Sequence, residues 1–247
     1  MIGSVNNTAD AEYTASLLQE QCSEKRTGAV VVAAGLSSRM KWFKPMLPYF
    51  PPNSGEGDFP HSLPNISKGD VPHFQQGKST IAIHIVTMLK ELGIAPIVVV
   101  TGFRAEELED HLSDKGVRFV RNERYRETEM FDSIMLGVGA IANDCERIML
   151  MPMDTPAIKK ETMRQVLMID EPLIRTMCNG HPGHPVLIAK SLIPMLSAND
   201  GRRGLRGAIE DSGVVITNLE VEDEGIYKDI DTQEDYHDLV FCSLKGM

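Results

Sequence analysis

The amino-acid sequence predicts an α/β domain built on a mostly parallel sheet. Three observations carry that expectation. Strand-like and helix-like stretches alternate along the chain, as they do where each strand is followed by a crossover helix. The run Ile97-Val98-Val99-Val100 is continuously apolar, the pattern of a strand covered on both faces. Between Thr80 and Leu92, the residues Ile81, Ile85, Met88 and Leu92 recur at helical spacing, with Gly93 as the stop.

The elements follow in order. Residues 1–26 form a polar, acidic N-terminal extension, with a short amphipathic helix over 11–21 and no apolar core of signal-peptide type. The domain then runs over 27–247 and opens with a strand at 29–33. Residues 51–77 are rich in Pro, Gly, Asn, Ser and His and lack periodicity. They read as an insertion, either a surface excursion or a lid. A helix over 80–92 leads to the strand at 97–101. Further strands are expected at 117–120, 147–151, 185–188 and 214–218. Ile134, Val138 and Ile141 mark a second helix, and 233–244 a weaker third.

Bulk properties narrow the function classes. At 247 residues the chain suffices for one large domain, and 42% hydrophobic with 24% charged residues is ordinary for a globular protein. A net charge of −10 opposes broad nucleic-acid binding, which needs a basic face. It does not oppose a nucleotide substrate, for which a few cations in a cleft suffice. Cys22, Cys145, Cys178 and Cys242 are far apart, so no zinc or redox pair is expected and the thiols read as those of a cytoplasmic protein. No apolar run reaches the roughly 18 residues of a membrane span.

The most informative stretch is Val30 to Pro45. A β-branched run ends at Ala33-Ala34-Gly35, and a polar loop with Ser37, Ser38, Arg39, Lys41 and Lys44 follows. Gly35 lets main-chain N–H groups approach a ligand, and successive N–H groups at such a turn bind anions. Arg39 and Lys44 add positive charge where a phosphate chain would lie. Gly77-Lys78-Ser79-Thr80 is not a second phosphate loop. Pro72 stands where that motif needs glycine, and no strand precedes it. Gly77 reads instead as a turn, with Ser79 as a helix N-cap.

This run resembles the signature A-A-G-x-S-x-R-M-G-x-x-K of the MobA-like nucleotidyltransferase family. Ala33, Ala34, Gly35, Ser37, Arg39, Met40 and Lys44 match it, and Lys41 replaces its glycine. The resemblance implies a three-layer α/β/α nucleotidyltransferase domain. It assigns nucleotide binding to Ala33, Ala34, Gly35, Ser37, Arg39, Lys44, Gly102, Asn122 and Ser133, with Arg39 and Lys44 catalytic. Glu129 replaces a family glycine between Asn122 and Ser133.

Met151-Pro152-Met153-Asp154-Thr155-Pro156 ends a strand at the edge where open α/β sheets bind ligands. It resembles the family's metal-binding segment, so Asp154 is the expected Mg²⁺ ligand; the alternative is a helix cap. Asp229-Ile230-Asp231-Thr232-Gln233-Glu234-Asp235 resembles the family's closing motif, with Gln233 for proline. Alternation puts Asp229 and Asp231 on one side of an extended segment. Asp229 is the first choice as second metal ligand, and Asp231 the expected helix cap, with an acceptor contact as its other role. Gly180-His181-Pro182-Gly183-His184-Pro185 gives His184 either an acceptor contact or a turn role. Arg202, Arg203 and Arg206 either clamp an anionic acceptor or belong to a solvated helix start.

The implied activity is Mg²⁺-dependent transfer of an NMP unit from an NTP to a phosphorylated acceptor such as molybdopterin cofactor, with CTP favoured and GTP second. The Gly-His-Pro and Asp-Ile-Asp-Thr segments point to the molybdenum cofactor cytidylyltransferase-like branch. The alternatives are a sugar-phosphate nucleotidyltransferase and a non-catalytic nucleotide sensor. Arg39, Lys44 and Asp154, all in place, oppose the sensor.

Overall fold

In the computed structural model, residues 25–36, 39–40, 42–49, 51 and 79–245 are described. Their strands are β1 (Thr27–Val32), β2 (Ile97–Thr101), β3 (Arg118–Arg121), β4 (Arg147–Pro152), β5 (Leu173–Cys178), β6 (His181–Ala189) and β7 (Thr217–Glu220). Their helices are α1 (Ile81–Glu91), α2 (Ala105–His111), α3 (Met130–Ile141), α4 (Lys160–Met168), α5 (Ile193–Ser197), α6 (Gly204–Ser212) and α7 (Gln233–Lys245).

The strands form one sheet in the order β3-β2-β1-β4-β6-β5-β7. β1 pairs in parallel with β2 and β4, and β2 with β3. β6 runs antiparallel to both β4 and β5, and β7 restores a parallel pair with β5. The sheet is therefore mostly parallel. Chain order reverses at β1, which has β2 on one side and β4 on the other. In open α/β sheets the crevice at the carboxyl ends of such strands receives ligands.

Period-two alternation builds the three layers. Along β1, Val30 and Val32 face a core shared with Ile134, Val138 and Ile141 of α3 and Ile209 of α6. Ala29, Val31 and Ala33 face the opposite core, with Ile81, Ile85 and Leu89 of α1 and Tyr236 of α7. Helix α3 sits tightly on the sheet because Gly137 has no side chain; a Cβ there would come within 2.4 Å of Val30.

The sequence-based strands at 29–33, 97–101, 117–120 and 147–151 agree with β1 to β4 within a few residues. Strand β5 was not expected. It has one face toward the core and a partly exposed other face, so its apolar run is broken by Arg175 and Thr176. It forms a hairpin with β6 through Asn179 and Gly180, both with positive φ. That hairpin extends the expected strand at 185–188 back to His181. Val215, 83% exposed, lies before β7 rather than in it.

Thr80, not Ser79, caps α1: its hydroxyl accepts from the Ile83 N–H. Ser79 pairs with Tyr49 instead, and Pro48 bridges Thr80. Tyr49 and Ser79 thus lie side by side, forming a neck between two chain positions 30 residues apart. Apart from Pro51, the expected insertion at 51–77 lies outside the described residues. So do residues 1–24, with the helix expected at 11–21, and Ser37 and Lys41 of the expected phosphate loop.

Candidate active site

The site forms at the carboxyl ends of β1 and β4. Met153 N–H donates to the Val32 carbonyl at 2.9 Å, so the turn carrying Asp154 stays in register with the end of β1. After Ala33 and Ala34 the chain crosses the sheet edge and returns as the single turn Lys44–Met46, with Pro45 favouring its start. Trp42, Phe43, Leu47 and Tyr49 bury around that turn. Trp42 packs edge-on against Tyr236 of α7, whose hydroxyl donates to the Pro48 carbonyl. The turn is thereby fixed from below while Lys44 projects into the site.

Lys44 Nζ lies 2.9 Å from Asp154 and 3.0 Å from Asp231. The Arg39 guanidinium reaches the other oxygen of Asp231 at 2.8 Å. Burial acts to lower the Lys44 pKa, but Asp154 and Asp231 together outweigh it and hold it above the ordinary lysine value. Asp229 still reaches solvent along part of its surface. Burial of the carboxyl group itself, then the charges of Asp154 and Asp231, push it up to about 6. Three carboxylates facing two cations leave one surplus negative charge.

Asp231 is not the helix cap expected from sequence. Thr232 caps α7 instead: its hydroxyl accepts from Asp235 N–H, and the Asp235 carboxylate accepts from the N–H groups of Asp231 and Thr232. The Thr-x-x-Asp spacing at 232–235 is the signal that could have identified this box. Asp231 is thus free to join the ion-pair cluster. The backbone closes the arrangement, because Ile230 N–H donates to the Asp154 carbonyl at 3.0 Å.

His184, in the first half of β6, lies close enough to Asp154 to feel its charge. Burial nevertheless lowers its imidazole pKa, and its buried Nδ1 has no hydrogen-bond partner among the described residues. Gly35 is exposed and open: a Cβ there would meet no described atom within 4 Å. Gly102 is the reverse, since a Cβ would come 2.8 Å from the Ala34 carbonyl oxygen and 2.9 Å from Tyr125. Its bareness lets the loop after β2 pack against Ala34.

Asn122 and Ser133 are brought together, but both are buried and occupied with each other. The Asn122 amide donates to Ser133 at 2.9 Å and to Thr128 at 2.8 Å, while its carbonyl accepts from Arg124 N–H. In this structure they brace the loop from β3 to α3. Beside that loop a cleft of about 440 Å³ is lined by Gly102, Arg104, Arg121, Asn122 and Tyr125. Arg104 lies over the Phe43 ring at 5.1 Å and links the cleft to the Lys44 turn. The arginines near Gly201 do not form a clamp. Arg203 and Arg206 start α6 and pair with Glu210 and Asp211, and Arg202 with Asp200.

Residues 29–215 match the MobA-like NTP transferase domain. The chain belongs to that family. It is 25% identical over 209 residues to the molybdenum cofactor cytidylyltransferase of Escherichia coli, covering 84% of this chain and 92% of that one. A nucleotidyl transferase from Methanothermobacter superposes with a TM-score of 0.68 at 22% identity, over 90% of this chain and 99% of that one. Rv0371c from Mycobacterium tuberculosis, in a complex with manganese, does so with 0.65 at 18% identity, over 87% and 98%. This member of the MobA-like family is a nucleotidyltransferase. Among the described residues of its chain, no helix is long and apolar enough to cross a membrane.

Proposed function

We propose that this nucleotidyltransferase moves an NMP unit from an NTP, CTP first and GTP second, to a phosphorylated small molecule such as molybdopterin cofactor. The observation that carries this reading is Lys44 seated between Asp154 and Asp231, with Arg39 on Asp231, at the end of β1. Two cations beside an open glycine loop suit a triphosphate. The surplus carboxylate charge suits a divalent cation.

The donor set fits Mg²⁺. Asp154 and Asp229 offer hard oxygens, and burial first, then the nearby charges of Asp154 and Asp231, hold the Asp229 carboxyl above its ordinary pKa. Among the described residues no three His, Cys, Asp or Glu side chains converge as a complete cage. Two carboxylates with the remaining positions left to phosphate oxygens and water is the arrangement Mg²⁺ usually takes. When bound, Mg²⁺ supplies charge neutralisation and polarisation at the α-phosphate.

In the reaction, an acceptor phosphate oxygen forms a bond to the α-phosphorus as the bond to the bridging oxygen of pyrophosphate breaks. A phosphate monoester near neutral pH already carries an unprotonated oxygen, so no general base is required. The work of Lys44 and Arg39 is to orient the triphosphate and take up charge developing on pyrophosphate. His184, whose imidazole lies within reach of the Asp154 charge, is the proposed acceptor-side residue. Ala33, Ala34, Gly35 and Ser37 supply the phosphate-side backbone, and Gly102, Asn122 and Ser133 shape the nucleoside side.

Pyrophosphate release measured with each NTP, with and without molybdopterin cofactor, tests this reading. Acceptor-dependent release, fastest with CTP, is expected. Release with no NTP under any acceptor would overturn it.

A further inference from the structure

The turn Glu224–Tyr227, which follows β7, packs against the chain just past Asp154 and against Gly183, beside His184. Asp223 at its start is 2% exposed. One carboxylate oxygen accepts from Lys159 N–H at 2.8 Å and from the buried Thr162 hydroxyl at 2.6 Å; the other accepts from Gly225 N–H at 3.0 Å. Gly225 lies against the chain just past Asp154: a Cβ there would come 2.2 Å from the Ala157 carbonyl oxygen. Ile226 is packed against Gly183, whose own Cβ would come 2.3 Å from the Ile226 carbonyl oxygen. Three residues beyond Ile226 comes Asp229, and Ile230 then bonds back to Asp154.

We infer that Asp223 is a positioning residue for the carboxylates of Asp154 and Asp229. Its three hydrogen bonds tie the start of α4, and with it the Asp154 turn, to the segment that delivers Asp229. Both glycines allow backbone contact too close for any side chain. The two carboxylates therefore sit at a separation set by Asp223, which itself never meets a ligand. This inference rests on the reading that Asp154 and Asp229 hold the cation.

The test is Mn²⁺ binding followed by electron paramagnetic resonance in the full chain with saturating CTP, alongside thermal melts. Variants are Asp223→Asn, Thr162→Val and, as a control, Asp154→Asn. Outer-shell changes lower metal affinity about 10- to 100-fold. The expected losses are about 10-fold for Asp223→Asn and about 3-fold for Thr162→Val, which removes one donor, with the number of Mn²⁺ per folded chain unchanged. A purely structural role would lower the competent fraction and leave the affinity of the rest intact, which would overturn the inference. If Asp223→Asn does not fold, Thr162→Val decides, and wild-type affinity in it overturns the inference. Weakened binding in Asp154→Asn with wild-type affinity in both others would refute the positioning role alone. Unchanged binding in Asp154→Asn would refute the cation reading and the inference with it.

Discussion

Lys44 and Asp231 are 187 residues apart in the chain and meet at 3.0 Å. One comes from the loop after the first strand, the other from the segment before the last helix. Their contact joins the two ends of the domain across the carboxyl edge of the sheet, and Arg39 and Asp154 complete it from either side.

Arg39 and Lys44 both carry the proposed phosphate chemistry, but they should differ in stability. Loss of a charge-assisted transition-state contact costs about 2–4 kcal/mol, so Arg39→Ala and Lys44→Ala should each reduce turnover about 30- to 1,000-fold. The sequence places both on a loop where little packing depends on them. That holds for Arg39, whose side chain is 72% exposed, whereas that of Lys44 is only 10% exposed. Lys44→Ala leaves two carboxylates without their shared cation and should cost about 1–3 kcal/mol of stability. Arg39→Ala should cost about 0–1 kcal/mol. Urea titrations beside steady-state rates separate the two effects. Equal destabilisation, or near-normal turnover in both, would contradict the assignment.

Much of this site is legible in the chain. The phosphate loop reads directly because a buried strand, small residues and two cations are contiguous. Asp154 reads because a carboxylate directly after a buried strand must emerge at the sheet edge. Asp229 and Asp231 share a side through simple alternation. The fine roles are less legible. The division of labour between Asp231 and Thr232 depends on which side chain turns toward α7, and Asp223 reads locally only as a turn residue bonded to Gly225, because its other two partners lie about 60 residues earlier. Strand β5 is hidden because Arg175 and Thr176 interrupt its apolar run, and the side-chain pairing of Asn122 with Ser133 is a tertiary event.

Metal binding should depend on pH through Asp229. Its carboxyl is raised to about 6, so protons compete with the cation over a range where an ordinary aspartate does not. With CTP present, Mn²⁺ affinity should be highest above pH 7 and fall as pH drops through about 6. Asp229→Asn should have lower affinity throughout and a flatter profile. A wild-type profile that stays flat between pH 5 and 8 would remove Asp229 from the cation site.

His84 should make the fold acid-sensitive. Burial lowers its imidazole pKa to about 4, against the opposing effects of its bond to the Pro156 backbone and the charge of Glu91. The ring also packs on Tyr49 at 4.6 Å. The folded state therefore binds fewer protons than the unfolded state between pH 4 and 6.5. Stability from the neutral ring is fully present above 6.5 and is lost as pH falls toward 4. Urea midpoints for wild type should decline across that window, and His84→Gln should flatten the decline. An equal decline in both proteins would assign the acid sensitivity elsewhere.

The neck formed by Tyr49 and Ser79 predicts that residues 53–75 can be removed. Tyr49 and Ser79, which flank the segment, already lie together, so a short turn can replace it with little closure cost. The variant should fold and bind CTP. Retained turnover identifies a surface excursion, and loss of acceptor affinity or turnover identifies a lid. Failure to fold would mean that Phe59, Ile66 or Phe74 packs into the domain.

The most direct measurement follows the α-phosphate itself. CTP labelled at the α-phosphate is incubated with Mg²⁺ and molybdopterin cofactor, and label in the acceptor is compared with pyrophosphate released. Equal amounts of labelled acceptor and pyrophosphate are expected, and the rate of both should fall at least about 30-fold in Lys44→Ala and in Asp154→Asn. Label recovered only as free CMP, or transfer at near wild-type rate in both variants, would contradict nucleotidyl transfer at the Lys44–Asp154–Asp231 cluster.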